Sequence, residues 1–254
     1  MDEYEQSIAL MKRRLFGGLA GSPRENLTIV ELGIGTAPNF QYYGPGRAGK
    51  GDTITGLDVN PQMFSYAEDR IAKVQESLQA KGHRDGEEEV QRSPFDVTLM
   101  VRDAQSTGLP DAYADAVIGT LLLCSVKDQK ATLKEIRRIL KPGGKYYFVE
   151  HVAADPGTPL RLAQDILNPL QGLLAGGCNL NRDTGGAIAE AFADGDVVSY
   201  RYDVLPGKIS FDNGFVLTNP EGADFRGSLI SPHISGEATA GDCVLTRCPP
   251  KVTI

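Results

Sequence analysis

Short apolar runs alternate with longer stretches of mixed polarity through the first 175 residues, the pattern of a parallel sheet flanked by helices. Thr28–Leu32, Thr53–Leu57, Val97–Val101, Ala114–Gly119 and Lys145–Glu150 each read as a short strand bounded by turn-forming residues. Between them the spacing predicts a helix from Pro61 to about Lys81, with Asn60 as its cap and Pro61 at the first helical position. A second helix is expected over Lys127–Leu140, where Leu133, Ile136 and Leu140 share one face and Lys141-Pro142-Gly143-Gly144 stops the run. Residues 82–94 are too charged to enter a core and read as a solvated loop. Thr158–Leu174 has the pattern of an amphipathic helix interrupted at Asn168-Pro169, because proline removes a helical hydrogen bond. From 195 to 254, Gly, Pro and β-formers such as Val197, Val198, Phe215 and Val216 predict two last strands around a long excursion. The expected fold is α/β and Rossmann-like: a mostly parallel seven-stranded sheet with helices on both faces. It is expected as one domain over 1–254, with a cofactor-binding half at about 27–151 and an acceptor or lid half at about 152–254.

Composition narrows the partners. The 254 residues are 41% hydrophobic and 23% charged, enough apolar material for a sizeable core, and the net charge is −7. Nucleic-acid binders concentrate Lys and Arg, so no nucleic-acid partner is expected and a small molecule is the better default. No apolar run approaches the ~18 residues of a membrane span, and the first sixteen residues lack the apolar centre of a signal peptide. Four scattered cysteines make no disulfide framework, and the Cys243-x4-Cys248 pair lacks a second ligand pair. No metal is expected, and a reducing, cytoplasmic setting fits.

The chemistry concentrates at strand ends. Glu31-Leu32-Gly33-Ile34-Gly35-Thr36 follows the first strand with two glycines, which allow a tight turn and close approach of backbone to a ligand. Pro38 stands where a dinucleotide loop would carry its third glycine, and a ring without an N–H suits pyrophosphate poorly. An acid at Glu31 fits a cationic ligand better than a phosphate. S-adenosylmethionine, with a sulfonium, an ammonium and no phosphate, meets both conditions. Asp58, with Val59 after it, ends the second strand where a carboxylate can accept both ribose hydroxyls. Asp103-Ala104 ends the third, pairing an acceptor for an exocyclic amine with a small residue that leaves room for the adenine ring. The run beginning at Leu121 should cross the carboxyl end of the fourth strand, where ligands bind in open α/β sheets.

Taken in order, ELGIGT, GLDVNP, RDA and RILKPGG resemble the motifs of class I methyltransferases. A more specific string runs through LLLCSVKDQ (121–129), KPGGKYYFVEHVA (141–153), Gln164-x-x-x-Asn168-Pro169, GGCNLNRDT (176–184) and Pro232-His233-Ile234-Ser235-Gly236. It resembles the methyltransferase-like family whose animal members are membrane-associated thiol S-methyltransferases, over roughly residues 10–240. The resemblance implies S-adenosylmethionine as cofactor, S-adenosylhomocysteine as product and a small thiol, such as sulfide or an alkyl thiol, as acceptor. Animal members carry an N-terminal hydrophobic anchor, whereas this chain starts just before Lys12-Arg13-Arg14-Leu15-Phe16. A soluble homologue or a trimmed N-terminus would account for that, with peripheral membrane contact left open. Residues 205–231 and the tail after 240 match poorly, which leaves acceptor specificity open.

His151 follows the fifth strand directly and is the first candidate for assisting deprotonation, against a loop-holding role. His233 would close over the site, and Asp165 lies with Asn168 on the interrupted helix, read as a lid. Arg182 could meet an acidic acceptor. Cys124 and Cys178, if they shared the pocket, could bind As(III) and make arsenite the acceptor. O- or N-methylation of another small metabolite is the main enzymatic alternative. A non-catalytic role at a lipid surface, through the leucines of 158–175, is the alternative outside enzymology.

Overall fold

The computed structural model describes residues 3–82, 94–174, 177–192, 198–203, 209–210, 216–217 and 233–240. Five parallel strands form its frame: β1 (Thr28–Leu32), β2 (Thr53–Asp58), β3 (Asp96–Val101), β4 (Ala114–Thr120) and β5 (Leu140–His151). The later strands β6 (Val198–Asp203) and β9 (His233–Thr239) extend the same sheet, while β7 (Ile209–Ser210) and β8 (Val216–Leu217) pair only with each other. The order across the sheet is β3-β2-β1-β4-β5-β9-β6, with β9 antiparallel to both β5 and β6. The strand order reverses between β1 and β4, and the loops leaving their C-terminal ends therefore diverge to opposite faces and open a crevice.

The helices cover the two faces. On one side lie α1 (Glu3–Ala20), α2 (Phe40–Arg47) and α3 (Phe64–Gly82), packing Ile8, Phe16, Phe40, Tyr43 and Ile71 against Ile29, Ile54 and Ile118 of the sheet. On the other, α4 (Gln129–Ile139) and α6 (Thr184–Ala191) bury Leu133, Ile136 and Ile188 with Val30, Val117 and Phe148. α5 (Pro159–Leu174) follows β5. Adjacent strand residues such as Ile29 and Val30 enter different cores, which is why the central strands read as continuous apolar runs rather than alternating ones.

Several boundaries differ from the sequence reading. The helix over 61–82 begins as a 3-10 turn at Pro61–Met63, with the Asn60 side chain accepting from Gln62 N as its cap. α5 runs across Pro169 as one helix rather than two; proline there forfeits a single i→i−4 bond. α1, α2 and α6 were not anticipated. In α2 the Gly44-Pro45-Gly46 run suggests a loop, yet Phe40 and Tyr43 join an aromatic cluster with Phe16 and Phe95, at ring-centroid distances of 4.8–6.2 Å, and hold the segment helical. The expected positions Val197 and Phe215, and the loop over 83–93, lie outside the described residues. Among the described residues, no helix is long and apolar enough to cross a membrane.

Candidate active site

The turn after β1 is shaped by its backbone. Gly33 and Gly35 adopt φ of +67° and +53°, values that a side chain would strain. The N–H groups of Gly33 and Ile34 both donate to the Leu57 carbonyl, at 2.8 and 3.0 Å. Gly35 N donates to Asp58 Oδ2 at 2.8 Å, and Asn60 N donates to Asp58 Oδ1, also at 2.8 Å. Asp58 thus ties the two loops together, while each carboxylate oxygen keeps a further lone pair for a ligand hydroxyl.

Glu31, expected beside a cationic ligand, instead braces the turn from within. It is fully buried, with Oε1 accepting from Asn39 Nδ2 at 2.9 Å and Oε2 from Tyr43 OH at 2.7 Å. Burial raises its pKa, partly offset by these two donors. Asn39 Nδ2 also reaches Thr120 Oγ1 at 2.8 Å and so couples the turn to the end of β4.

A cleft of about 400 Å³ opens at the C-terminal ends of β1, β2, β3 and β4. Of the residues singled out in the sequence, Gly33, Asp58, Val59, Asp103, Ala104 and Leu121 line it. Glu31, Gly35 and Thr36 do not. Leu121 takes φ +56° and donates its N–H to Val149 O at 2.8 Å, which turns the chain under the cleft. The next two N–H groups, of Leu122 and Leu123, both donate to Glu150 Oε1 at 3.0 Å. Sequence reasoning missed Glu150; as a buried acid at the end of a strand, it was the available signal. Burial pushes its carboxyl up to about 7, against the lowering effect of those two donors.

A Cβ on Gly33 would come within 3.0 Å of Leu122 Cδ1, and Gly33 lines the cleft wall. Acids at Asp58 and Asp103 on the rim, a small Ala104 between strand ends and a bare backbone turn suit a ribose, an adenine and a cationic tail. The residues fit S-adenosylmethionine.

The proton-handling candidates lie elsewhere. Asp165 is exposed on α5, held by Arg161 Nε at 3.1 Å and by Asn181 Nδ2 at 2.9 Å, and its pKa is lowered first by Asn181. His233 is buried and pairs with His151 across β5 and β9, the rings 6.3 Å apart, and burial drives its pKa down to about 3. His151, also buried, has Nε2 2.7 Å from the Asn179 carbonyl oxygen and 3.6 Å from Cys178 Sγ. Burial opposes a charge on this imidazole, but the neighbouring Cys178 and the Asn179 carbonyl raise its pKa overall.

The segments that carried the closer sequence resemblance are bonded to one another. Asn179 donates through N and Nδ2 to the Cys124 carbonyl, at 2.9 and 3.0 Å. Arg182 Nη1 donates to the carbonyls of Leu123 and Val126, at 2.6 and 2.7 Å. Arg182 Nη1 is therefore committed to these two carbonyls, one of them on cleft-lining Val126. Asn168 Oδ1 accepts from Leu180 N at 2.6 Å, so the proline-containing helix anchors this segment, while its outer face exposes Leu162, Ile166, Leu170 and Leu173.

Residues 30–148 match the methyltransferase domain family. A human thiol S-methyltransferase, TMT1A, is 34% identical over 190 residues, covering 74% of this chain and 69% of the relative. The chain belongs to the thiol S-methyltransferase family. A rat thiol S-methyltransferase, TMT1B, is 32% identical over 183 residues, 71% of this chain and 66% of its own length. The chain thus spans about two thirds of these relatives. Solved structures agree on the fold: a putative sarcosine dimethylglycine methyltransferase from Galdieria sulphuraria superposes with TM-score 0.59 at 14% identity, over 92% of this chain and 86% of that one. A phosphoethanolamine N-methyltransferase from Haemonchus contortus, solved with S-adenosyl-L-methionine, gives TM-score 0.52 at 18% identity, over 80% and 39% of the two chains. As a member of this family the protein is an S-adenosylmethionine-dependent methyltransferase.

Proposed function

We propose that the protein transfers a methyl group from S-adenosylmethionine to the sulfur of a small thiol, acting as one domain whose 27–151 half holds the cofactor and whose 152–254 half shapes the acceptor side. The 34% identity to an enzyme named for that activity carries the reading. The bound cofactor supplies a methyl carbon made electrophilic by its sulfonium. In our assignment Asp58 accepts the ribose hydroxyls, Asp103 and Ala104 take the adenine, and the turn at Gly33–Thr36 with Leu121 below it lets backbone approach the remainder.

A thiol is the acceptor that asks least of the protein. It is already a few per cent thiolate at neutral pH, whereas an alcohol would need a strong base in contact with it. Neither His151, His233 nor Asp165 lines the cleft, so we assign no general base to this step. Alignment of sulfur, methyl carbon and leaving sulfonium, with water excluded, can account for about 7–11 kcal/mol of the barrier. The membrane contact considered from the sequence would fall to the exposed leucines of α5.

The test is methyl transfer from labelled S-adenosylmethionine to a panel of small thiols, alcohols and amines. Saturable formation of S-methyl product is expected. Tight cofactor binding by calorimetry with no thiol methylated would overturn the acceptor.

A further inference from the structure

Next to Ser125, which lines the cleft, three buried side chains from distant parts of the chain converge. Cys124 lies in the loop after β4, His151 is the last residue of β5, and Cys178 sits between α5 and α6. One ligand atom from each lies within 4.8 Å of the others. Only 2%, 1% and 9% of the respective residues is exposed.

The imidazole is already oriented. A carbonyl can only accept, so the 2.7 Å contact from His151 Nε2 to Asn179 O places the ring proton on Nε2 and leaves a lone pair on Nδ1. Metal-binding histidines are held this way, the second ring N–H pinned to a carbonyl or carboxylate. Nδ1 is 3.8 Å from Cys178 Sγ. A tetrahedral zinc ion, with bonds of about 2.3 Å to sulfur and about 2.0–2.1 Å to nitrogen, would hold those atoms roughly 3.6 Å apart. Two sulfurs and an imidazole select a zinc-class ion over magnesium or calcium. Glu150, next in the chain to His151, buries its Oε2 with no hydrogen-bond partner among the described residues.

We propose that Cys124, His151 through Nδ1 and Cys178 bind one zinc-class divalent ion, and that its fourth position takes the sulfur of the acceptor thiol. Three protein ligands with one open position is the arrangement of catalytic rather than structural zinc. The cluster adjoins the cleft through Ser125, which lines it and whose Oγ is 3.3 Å from Cys124 Sγ. Coordination deprotonates the incoming thiol, the proton leaving to solvent. The new carbon–sulfur bond forms as the sulfonium carbon–sulfur bond breaks, giving a thioether and S-adenosylhomocysteine. The fourth-ligand role rests on the thiol-acceptor reading; ion binding does not.

The fully reduced, metal-stripped full chain is titrated with Co²⁺ and followed by absorption. One equivalent with tetrahedral d–d bands and thiolate charge-transfer bands is expected, and Cys178→Ser or His151→Ala should weaken binding by at least about tenfold. Because either variant could fold poorly, a second measurement uses the unaltered chain: bound Zn²⁺ should slow modification of Cys124 and Cys178 by a thiol reagent. Absence of stoichiometric binding, or full binding in Cys178→Ser, would overturn the site. Adding 2-mercaptoethanol to the Co²⁺ form without S-adenosylmethionine should shift the d–d bands; an unchanged spectrum overturns the fourth-ligand role alone. Ion binding with no thiol methylated sustains the metal site and overturns the acceptor reading instead.

Discussion

Gly35 donates its backbone N–H to Asp58 Oδ2 across 2.8 Å, so the turn after β1 and the end of β2 form a single unit. The other oxygen, Oδ1, holds Asn60 N just before the 3-10 turn. A ligand hydroxyl bonding to Asp58 therefore meets a carboxylate that two backbone amides have already fixed.

Replacing Asp58 by Ala removes both a charged acceptor and the brace on Gly35. Hydrogen bonds to charged groups contribute about 1.5–3 kcal/mol each, which is tenfold or more in Kd. Calorimetry of S-adenosylmethionine binding should show that loss in Asp58→Ala and a smaller one in Asp58→Asn, which keeps one carbonyl oxygen. Undiminished affinity in Asp58→Ala would remove it from the cofactor site.

Two glycines should separate binding from stability. At Gly33 the positive φ and the 3.0 Å approach to Leu122 Cδ1 put an added side chain at the cleft wall, so Gly33→Val should lower cofactor affinity sharply. At Gly56, inside β2, a Cβ would stand 2.4 Å from Ile34 Cδ1 and 2.8 Å from Leu99 Cδ2. Overpacking of this kind costs about 1–3 kcal/mol, so Gly56→Ala should lower the denaturation midpoint first. Equal denaturation midpoints for Gly56→Ala and the unaltered chain would contradict this.

The five parallel strands and the loops that line the cleft were legible because each is local: an apolar run followed within a few residues by Gly33, Asp58 or Asp103. α2 was not, since its helix depends on Phe16 and Phe95, far away in sequence, outweighing Gly44-Pro45-Gly46. Nor could the chain order show that β9 would insert between β5 and β6. The same limit hid the cluster of Cys124, His151 and Cys178, which are 27 residues apart at the nearest and meet only through tertiary folding. Sequence alone pairs the two cysteines as arsenite ligands and gives the histidine a separate role in proton transfer.

Buried charge should be decisive at Arg47 and Asp52. Neither is exposed; Nε and Nη2 of Arg47 meet the two carboxylate oxygens at 2.6 and 2.5 Å, and Asp52 Oδ1 also accepts from Leu27 N. Removing one partner of such a pair strands the other, at about 3–5 kcal/mol. Asp52→Ala should lose that much stability by urea denaturation. A loss under about 1 kcal/mol, the range of exposed pairs, would show that water reaches the guanidinium.

Acid should act through Glu135. Its carboxyl is held down to about 2 by Arg138 first, with burial opposing and Thr107 N and Oγ1 donating at 2.8 and 2.6 Å. A folded-state pKa below the ordinary 4.5 means the ionised form favours folding. That contribution is complete above about pH 4.5 and fades as the pH falls toward about 2. With Arg138 27% exposed, solvent screening reduces it to about 1–2 kcal/mol. Thr107 stands in the same connection as Asp103 and Ala104, so the pair also steadies that wall of the cleft. The denaturation midpoint of Glu135→Gln should fall below that of the unaltered chain at pH 6, and the gap should narrow steadily below about pH 4.5. A gap that stayed constant across this range would mean that packing, and not ionisation, carries the contribution of Glu135.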